Sequence, residues 1–248
     1  MTLVELCGHG GAAVTAERFA PPSGAGPWPG IVLAHEVFGL DAFARSTARR
    51  LAGQGYVVLA PDLYSRGEVP GPPSTEEDPA PQWTEEEIRA AAAGLPDRQA
   101  VADLEAAAAA LCSDPDVEER RIAAMGFCLG GKLAFLLGCQ SRRLAAVVDF
   151  YGRVCYSDLD ADHPVQPLEM ALGLECPLLG VFGQLDPSIP PADVEAMRRQ
   201  LDAFAKPHTI EIVAQAGHGF MNPLRSDYPA DSAEEVWALA LTFLEENL

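Results

Sequence analysis

A run of apolar residues that ends in a glycine-flanked cysteine constrains the fold of this chain more than any other feature. Residues 122–125 are apolar, which predicts a buried strand, and Gly126, Cys128 and Gly130 form a G-x-C-x-G turn after it. The apolar stretch that continues to Leu137 predicts a helix. A strand, a sharp turn and a helix in this order form a nucleophile elbow, so the sequence predicts an α/β fold with Cys128 at the end of a central strand.

The glycines and the helix have separate roles around the cysteine. A turn this sharp leaves no room for side chains two residues to either side, because they would collide with the neighbouring backbone. The helix that begins at the turn directs its amide N–H groups at the sulfur and favours a thiolate, and the amide of Leu129 becomes one donor of an oxyanion hole. Taken alone, the motif also fits a structural cysteine, since a buried thiol often acts as a small apolar group.

Composition and charge narrow the possible functions. The 248-residue chain is 48% apolar, and no repeat or linker divides it, so we expect one domain over residues 1–248. The net charge of −19 argues against nucleic acid or an anionic membrane as partner, because both need a basic surface. No apolar run is long enough to span a membrane, and the start lacks the pattern of an export signal, so we expect a cytoplasmic protein.

The cysteines indicate neither a metal site nor a redox pair. The sequence has six of them, none in a C-x-x-C pattern, so we expect reduced thiols, no zinc and no cofactor. The six are Cys7, Cys112, Cys128, Cys139, Cys155 and Cys176.

Strand and helix patterns alternate along the rest of the chain, which predicts a mostly parallel sheet flanked by helices. Two short strand patterns around a glycine turn predict an antiparallel hairpin at the sheet edge, over residues 3–6 and 12–19. Residues 66–81 are rich in Pro, Gly and acidic residues, and we expect a loop over the functional end of the sheet. Thr84–Glu87 and Ser232–Glu235 have the spacing of capping boxes, the first for a short helix to Ala93 and the second for the last helix. Residues 144–148 predict a strand that delivers Asp149 to the functional end of the sheet, and His163, before a proline, is expected to be exposed.

Three residues with complementary chemistry follow predicted strands. Cys128, Asp186 and His218 can meet because parallel strands end at the same edge of a sheet, and their order is that of α/β hydrolases. We expect His218 to take the thiol proton and return it to the leaving oxygen, while Asp186 fixes the histidine tautomer. The thiolate would attack an ester or lactone carbonyl to give an acyl-thioester. Separately, Asp186 could be a helix cap and His218 a turn residue.

The strand at residues 31–34 delivers further candidates to the same edge. Glu36 follows it in a loop, and the amide N–H of Val37 is the expected second oxyanion donor. Phe38 and Tyr151 are candidates to line a substrate pocket.

Together these motifs resemble the dienelactone hydrolase (carboxymethylenebutenolidase) family over nearly the whole chain. The resemblance implies a soluble, monomeric, cofactor-free enzyme that acts on a small ester or lactone, with a glutamate, here Glu36, that holds the resting thiol away from the histidine until substrate binds. It rests on His35-Glu36-x-Phe38-Gly39, Pro61-Asp62-Leu63-Tyr64, Gly126-x-Cys128-Leu-Gly-Gly131, Asp186 and Gly217-His218-x-Phe220.

The chain departs from the family at the substrate. Members that act on dienelactone bind its carboxylate with arginines, one of them four residues after the histidine, where this chain has Asn222. Arg89 and Arg98 are candidates for the other arginine. An acyl transferase or thioesterase with the same triad, and a catalytically silent member that binds a ligand or senses oxidants through Cys128, remain alternatives.

Overall fold

The fold is built on one eight-stranded sheet. The computed structural model describes residues 1–67 and 82–248. The strands are β1 (Thr2–Cys7), β2 (Ala13–Phe19), β3 (Trp28–Ala34), β4 (Val57–Pro61), β5 (Val117–Phe127), β6 (Ala146–Phe150), β7 (Leu178–Gly183) and β8 (His208–Val213). They are arranged in the order β1-β2-β4-β3-β5-β6-β7-β8.

The sheet is parallel from β4 through β8, and the β1–β2 hairpin is the antiparallel edge. The hairpin joins the rest because β2 pairs antiparallel with β4. Every residue of β6 and β7 is buried, as expected for strands covered on both faces, whereas β8 at the other edge is half-exposed. The predicted single-domain α/β fold, with its antiparallel edge hairpin, is therefore confirmed.

The helices cover both faces of the sheet. They are α1 (Ala42–Gly53), α2 (Glu85–Ala93), α3 (Asp97–Cys112), α4 (Leu129–Gln140), α5 (Pro191–Ala203) and α6 (Ala230–Asn247), with 3-10 turns at His9–Gly11 and Pro167–Gly173. Arg50 of α1 lies 4.3 Å over the ring of Trp237 of α6 and pairs with Glu234, so these two helices pack together. The elbow helix α4 packs on β5 and β6 and against α3.

The strand register places four strand ends side by side. Ala34 of β3 pairs with Gly126 of β5, and Gly126 pairs in turn with Asp149 of β6. Phe150 at the end of β6 pairs with Val181 of β7. The loops that leave β3, β5, β6 and β7 therefore begin at one edge of the sheet, where open α/β sheets bind their ligands.

The structure corrects some local expectations. Helix α6 begins at Ala230 with no side-chain cap, so the predicted Ser232–Glu235 capping box is wrong. Strand β6 extends to Phe150, and Asp149 lies inside the strand rather than after it. His163 is buried rather than exposed, because its ring packs against Tyr156. The predicted loop at 66–81 lies outside the described residues except for Arg66 and Gly67.

Candidate active site

Cys128 lies in a strained turn between β5 and α4. Its φ of 55° and ψ of −115° are uncommon for a residue with a side chain, and its amide donates to the Phe150 carbonyl at 2.9 Å. A Cβ on Gly126 would collide with the carbonyl of Gly130, and one on Gly130 would collide with that of Ala34. The two glycines are therefore required by close backbone packing, and the strain holds the sulfur at the start of the helix.

Cys128, His218 and Asp186 form one connected chain of contacts. His218 Nε2 lies 3.0 Å from Cys128 Sγ, and His218 Nδ1 lies 2.7 Å from Asp186 Oδ2. The other carboxylate oxygen of Asp186 accepts from the amides of Ser188 at 2.7 Å and Ile189 at 3.2 Å. Because the aspartate is fixed by backbone donors and is only 3% exposed, it can orient the imidazole ring.

The environment of His218 favours its protonated form. Burial lowers the pKa of His218, but the Cys128 sulfur and the Asp186 carboxylate outweigh burial and raise it to about 11. The ring of Tyr151 meets the imidazole edge-on, with 5.3 Å between centroids. This arrangement suits an imidazolium, with the aspartate balancing its positive charge.

Glu36 is a buried carboxyl group at the same site. It is 4% exposed, and its Oε2 accepts from Asn222 Nδ2 at 3.0 Å while Tyr151 Oη lies 3.5 Å from Oε1. Burial, together with the negative charge of Asp41, raises the pKa of Glu36 to about 7, and the bond from Asn222 opposes that rise. The group therefore changes charge near neutral pH.

The amides expected to form the oxyanion hole are available. Leu129 is the first residue of α4, and Val37 lies in the buried loop after β3. Within residues 1–67 and 82–248, no hydrogen bond of the protein uses the amide N–H of either residue. An amide N–H without a protein acceptor is the kind of donor that an oxyanion hole requires.

The candidates for substrate binding divide into two groups. Tyr151 is fully buried between His218 and Glu36 with a φ of 43°, and Phe38 is half-buried against Trp83. Arg89 is exposed and pairs with Glu85 of its own helix at 3.6 Å, and Arg98 is exposed on α3. Neither arginine makes a hydrogen bond or ion pair with the cysteine, histidine, aspartate or Glu36.

Arg225, which was not predicted as a site residue, lies against Gly219 and acts electrostatically on Glu36 and Tyr151. Its guanidinium pairs with Asp227, with 2.9 Å between Nε and Oδ1. The sequence carried no signal for it, because its position depends on the path of the loop after His218.

The described residues hold no obvious metal site. Over residues 1–67 and 82–248, no group of three His, Cys, Asp or Glu side chains is placed to bind a metal ion. In the same part of the chain, none of the helices combines the length and the apolar character needed to cross a membrane. All six cysteines, each within the described residues, are free.

Known proteins share both the sequence pattern and the fold. The sequence model of the "Dienelactone hydrolase family" matches residues 15–248. A "Putative carboxymethylenebutenolidase" of Escherichia coli O157:H7 is 34% identical over 236 residues, which cover 95% of this chain and 83% of that protein. A protein of the same description from Methylorubrum extorquens is 32% identical over 225 residues, covering 90% and 74% of the two chains.

A solved structure is similar over its whole length. The "Putative Dienelactone Hydrolase" of Klebsiella pneumoniae superposes with a TM-score of 0.86 at 30% identity, covering 98% of this chain and 97% of that one. With the elbow and the strand-end cluster described above, these matches agree on one assignment. The chain belongs to the dienelactone hydrolase family and is a hydrolase that acts on ester or lactone bonds.

Proposed function

We propose that this protein hydrolyses small esters or lactones with Cys128 as nucleophile, His218 as acid and base, and Asp186 as the group that orients the histidine. One observation carries the proposal: Sγ to Nε2 at 3.0 Å and Nδ1 to Oδ2 at 2.7 Å connect the three side chains in the order the chemistry needs. Each link is within hydrogen-bonding reach, which is the first requirement for proton transfer.

The reaction proceeds in two halves. The Cys128 thiolate forms a bond to the substrate carbonyl carbon, and the C=O electron pair moves to oxygen, which the amides of Leu129 and Val37 stabilise. As the pair returns, the C–O bond breaks and the imidazolium of His218 gives its proton to the leaving oxygen. In the second half, neutral His218 takes a proton from water, the resulting hydroxide attacks the acyl-thioester, and the acid product leaves as the thiolate returns.

Glu36 is proposed to control the resting thiol. The resemblance to the family motif supports this role, and so does a buried carboxyl group whose pKa is raised to about 7. With Glu36 bound by Asn222 and Tyr151, the sulfur contacts His218. We take this as the arrangement ready for attack, and the resting alternative as one in which the Cys128 thiol is turned away from His218 and donates a hydrogen bond to the Glu36 carboxylate.

The substrate is proposed to be uncharged. Asn222, at the position where dienelactone-binding members of the family have arginine, already uses its amide nitrogen on Glu36 and its oxygen on the amide of Leu224. Arg225 is paired with Asp227, and the sequence between Arg66 and Arg89 contains no Lys or Arg. Neither Asn222 nor Arg225 therefore offers a substrate carboxylate the free cation that binds it most strongly.

The nucleophile is tested by replacing it. Cys128→Ala should abolish turnover of p-nitrophenyl acetate, because no other thiol contacts His218, while the exposed Cys7→Ala serves as control and should retain wild-type kcat. Mass spectrometry of rapidly quenched wild-type enzyme should show one acetyl group on the peptide that contains Cys128. Turnover by Cys128→Ala, or acetyl on another residue, would refute the proposal.

A further inference from the structure

His35, next to Glu36 in the loop after β3, is a buried histidine that the proposed reaction does not use. It is 1% exposed, its Nδ1 lies 2.6 Å from the Glu36 carbonyl oxygen, and the Leu63 amide donates to its Nε2 at 3.1 Å. A carbonyl can only accept and an amide N–H can only donate, so both bonds require the neutral ring with its proton on Nδ1. Burial lowers the pKa of His35 more than the Glu36 carbonyl and Asp62 raise it, which favours this neutral form.

The bond from His35 fixes one peptide plane. The carbonyl of Glu36 and the amide N–H of Val37 belong to the same planar unit, and in a trans peptide they point in opposite directions. The Glu36 oxygen is held by His35 and also by the Gly39 amide, which donates to it at 3.2 Å, and the donors that hold this oxygen also set the direction of the Val37 N–H. That N–H is the proposed oxyanion donor, and within the described residues no protein acceptor engages it.

Tyr64, in the loop after β4, fixes the next plane. Its hydroxyl donates to the Val37 carbonyl at 3.1 Å, and its ring packs against His35 with 5.4 Å between centroids. Tyr64 is itself held, because its amide donates to Asp62 at 3.0 Å. The two peptide groups that flank the Val37 Cα are thus hydrogen-bonded to the side chains of His35 and Tyr64, and both of these side chains are held by contacts with the loop after β4.

We propose that His35 and Tyr64 are positioning residues that orient the Val37 N–H toward the oxygen of the carbonyl attacked by Cys128. The inference rests on the proposed function and adds two residues that act through the backbone. Their effect belongs to the transition state, since the oxyanion exists only after attack begins. Loss of a whole oxyanion donor costs about 100- to 1000-fold in kcat, so misdirecting one should cost about 10- to 100-fold.

The first experiment separates orientation from simple loss of packing. His35→Leu should lower kcat for p-nitrophenyl acetate about 10- to 100-fold with KM nearly unchanged. His35→Asn keeps an N–H donor close to the Nδ1 position and should recover most of kcat. His208→Leu is the matched control, because His208 Nδ1 also lies against a backbone carbonyl, that of Lys206 at 2.8 Å, but on the edge strand β8.

The second experiment uses Tyr64→Phe, with the remote Tyr56→Phe as control. Only Tyr64→Phe should lower kcat, and its affinity for a trifluoromethyl ketone, which forms a tetrahedral thiolate adduct, should fall by the same factor as kcat/KM. Alkylation of Cys128 by iodoacetamide develops no oxyanion, so its rate should stay at the wild-type value in Tyr64→Phe and His35→Leu.

The results separate a failure of the proposed function from a failure of the positioning role. Activity in Cys128→Ala would remove the proposed function itself. Normal kcat in both His35→Leu and Tyr64→Phe, or a loss of kcat matched by slower alkylation, would overturn the positioning role and leave the thiol chemistry intact. If His35→Leu does not fold, the positioning role is tested with His35→Asn and Tyr64→Phe, by kcat for the ester and by the rate of alkylation with iodoacetamide.

Discussion

Glu36 is the residue proposed to control the resting thiol, so its charge should affect the reactivity of Cys128. Its pKa is raised to about 7, so the carboxyl is neutral in mildly acidic solution and negative above neutral pH. A nearby negative charge, or a carboxylate able to hold the thiol proton, suppresses the thiolate. Glu36→Gln should therefore speed alkylation of Cys128 by iodoacetamide, and the difference from wild type should grow as pH rises through 7.

The matched control is Glu211→Gln, which removes an acid from the exposed face of β8 and should leave the alkylation rate unchanged. Rates are measured from pH 5.5 to 8.5 with the same reagent. A ratio of variant to wild type that stays flat across this range would contradict a role for the Glu36 charge.

Chain order and strand ends were enough to identify the residues that meet at the sheet edge. Cys128 and His218 are 90 positions apart, and they lie in contact because parallel strands end together. The contact between Glu36 and Asn222 spans 186 positions, and nothing in the sequence predicts it. It depends on the path of the loop after His218, and loop paths follow tertiary packing rather than a local pattern.

At the scale of elements, a buried ion pair connects α3 to the elbow helix. Lys132 Nζ, one turn after Cys128, lies 2.6 Å from Asp97 Oδ1 at the start of α3. Tyr156 donates its hydroxyl to the other Asp97 oxygen at 2.6 Å and lies 2.8 Å from the ammonium. The Lys132 and Asp97 side chains are 4% and 13% exposed, so neither charge is well solvated without the other.

Breaking this pair should destabilise the fold far more than breaking a surface pair. Lys132→Met leaves a buried carboxylate without its cation and should lower the free energy of unfolding by about 3–5 kcal/mol. Adding Asp97→Asn should recover part of the loss. Arg89→Met is the control, because the Arg89–Glu85 pair is 74% and 88% exposed and is worth about 0.3–0.5 kcal/mol. Urea unfolding of the wild type, the two single variants and the Lys132→Met/Asp97→Asn double variant measures each free energy of unfolding. An equal decrease in Lys132→Met and Arg89→Met would contradict the prediction.

The sequence predicts the first or last residue of a helix or strand correctly where nearby residues alone determine it. The Thr84–Glu87 capping box starts α2 as its sequence indicates, because both hydrogen bonds form within four residues. Strand β6 was placed too early because its ends depend on its partners: Ala146 pairs with Ala123, and Asp149 pairs with Gly126 and Gly180. An acidic residue inside a buried strand contradicts the usual polarity pattern, so only the assembled sheet could reveal it.

At the scale of the whole molecule, Asp149 makes the stability of the fold depend on pH. It is 1% exposed in the middle of the sheet, with Oδ1 accepting from the Gly152 amide at 2.8 Å and Oδ2 without a partner among the described residues. Burial raises its pKa to about 7, although the Gly152 bond opposes the rise. In the unfolded chain the same carboxyl titrates near pH 4.

The folded state therefore keeps a proton that the unfolded state releases between about pH 4 and pH 7. The contribution of Asp149 to the free energy of unfolding is fully present below pH 4 and is lost as pH rises through 7. The loss is about 4 kcal/mol, because the pKa of the carboxyl differs by about three units between the folded and unfolded states. Asp149→Asn removes this loss, so variant and wild type should unfold with similar free energies at pH 4, and the variant should be the more stable at pH 8. The exposed Asp158→Asn controls for net charge. Urea unfolding curves at both pH values test the claim, and a stability difference that does not change with pH would show that Asp149 is not protonated in the fold.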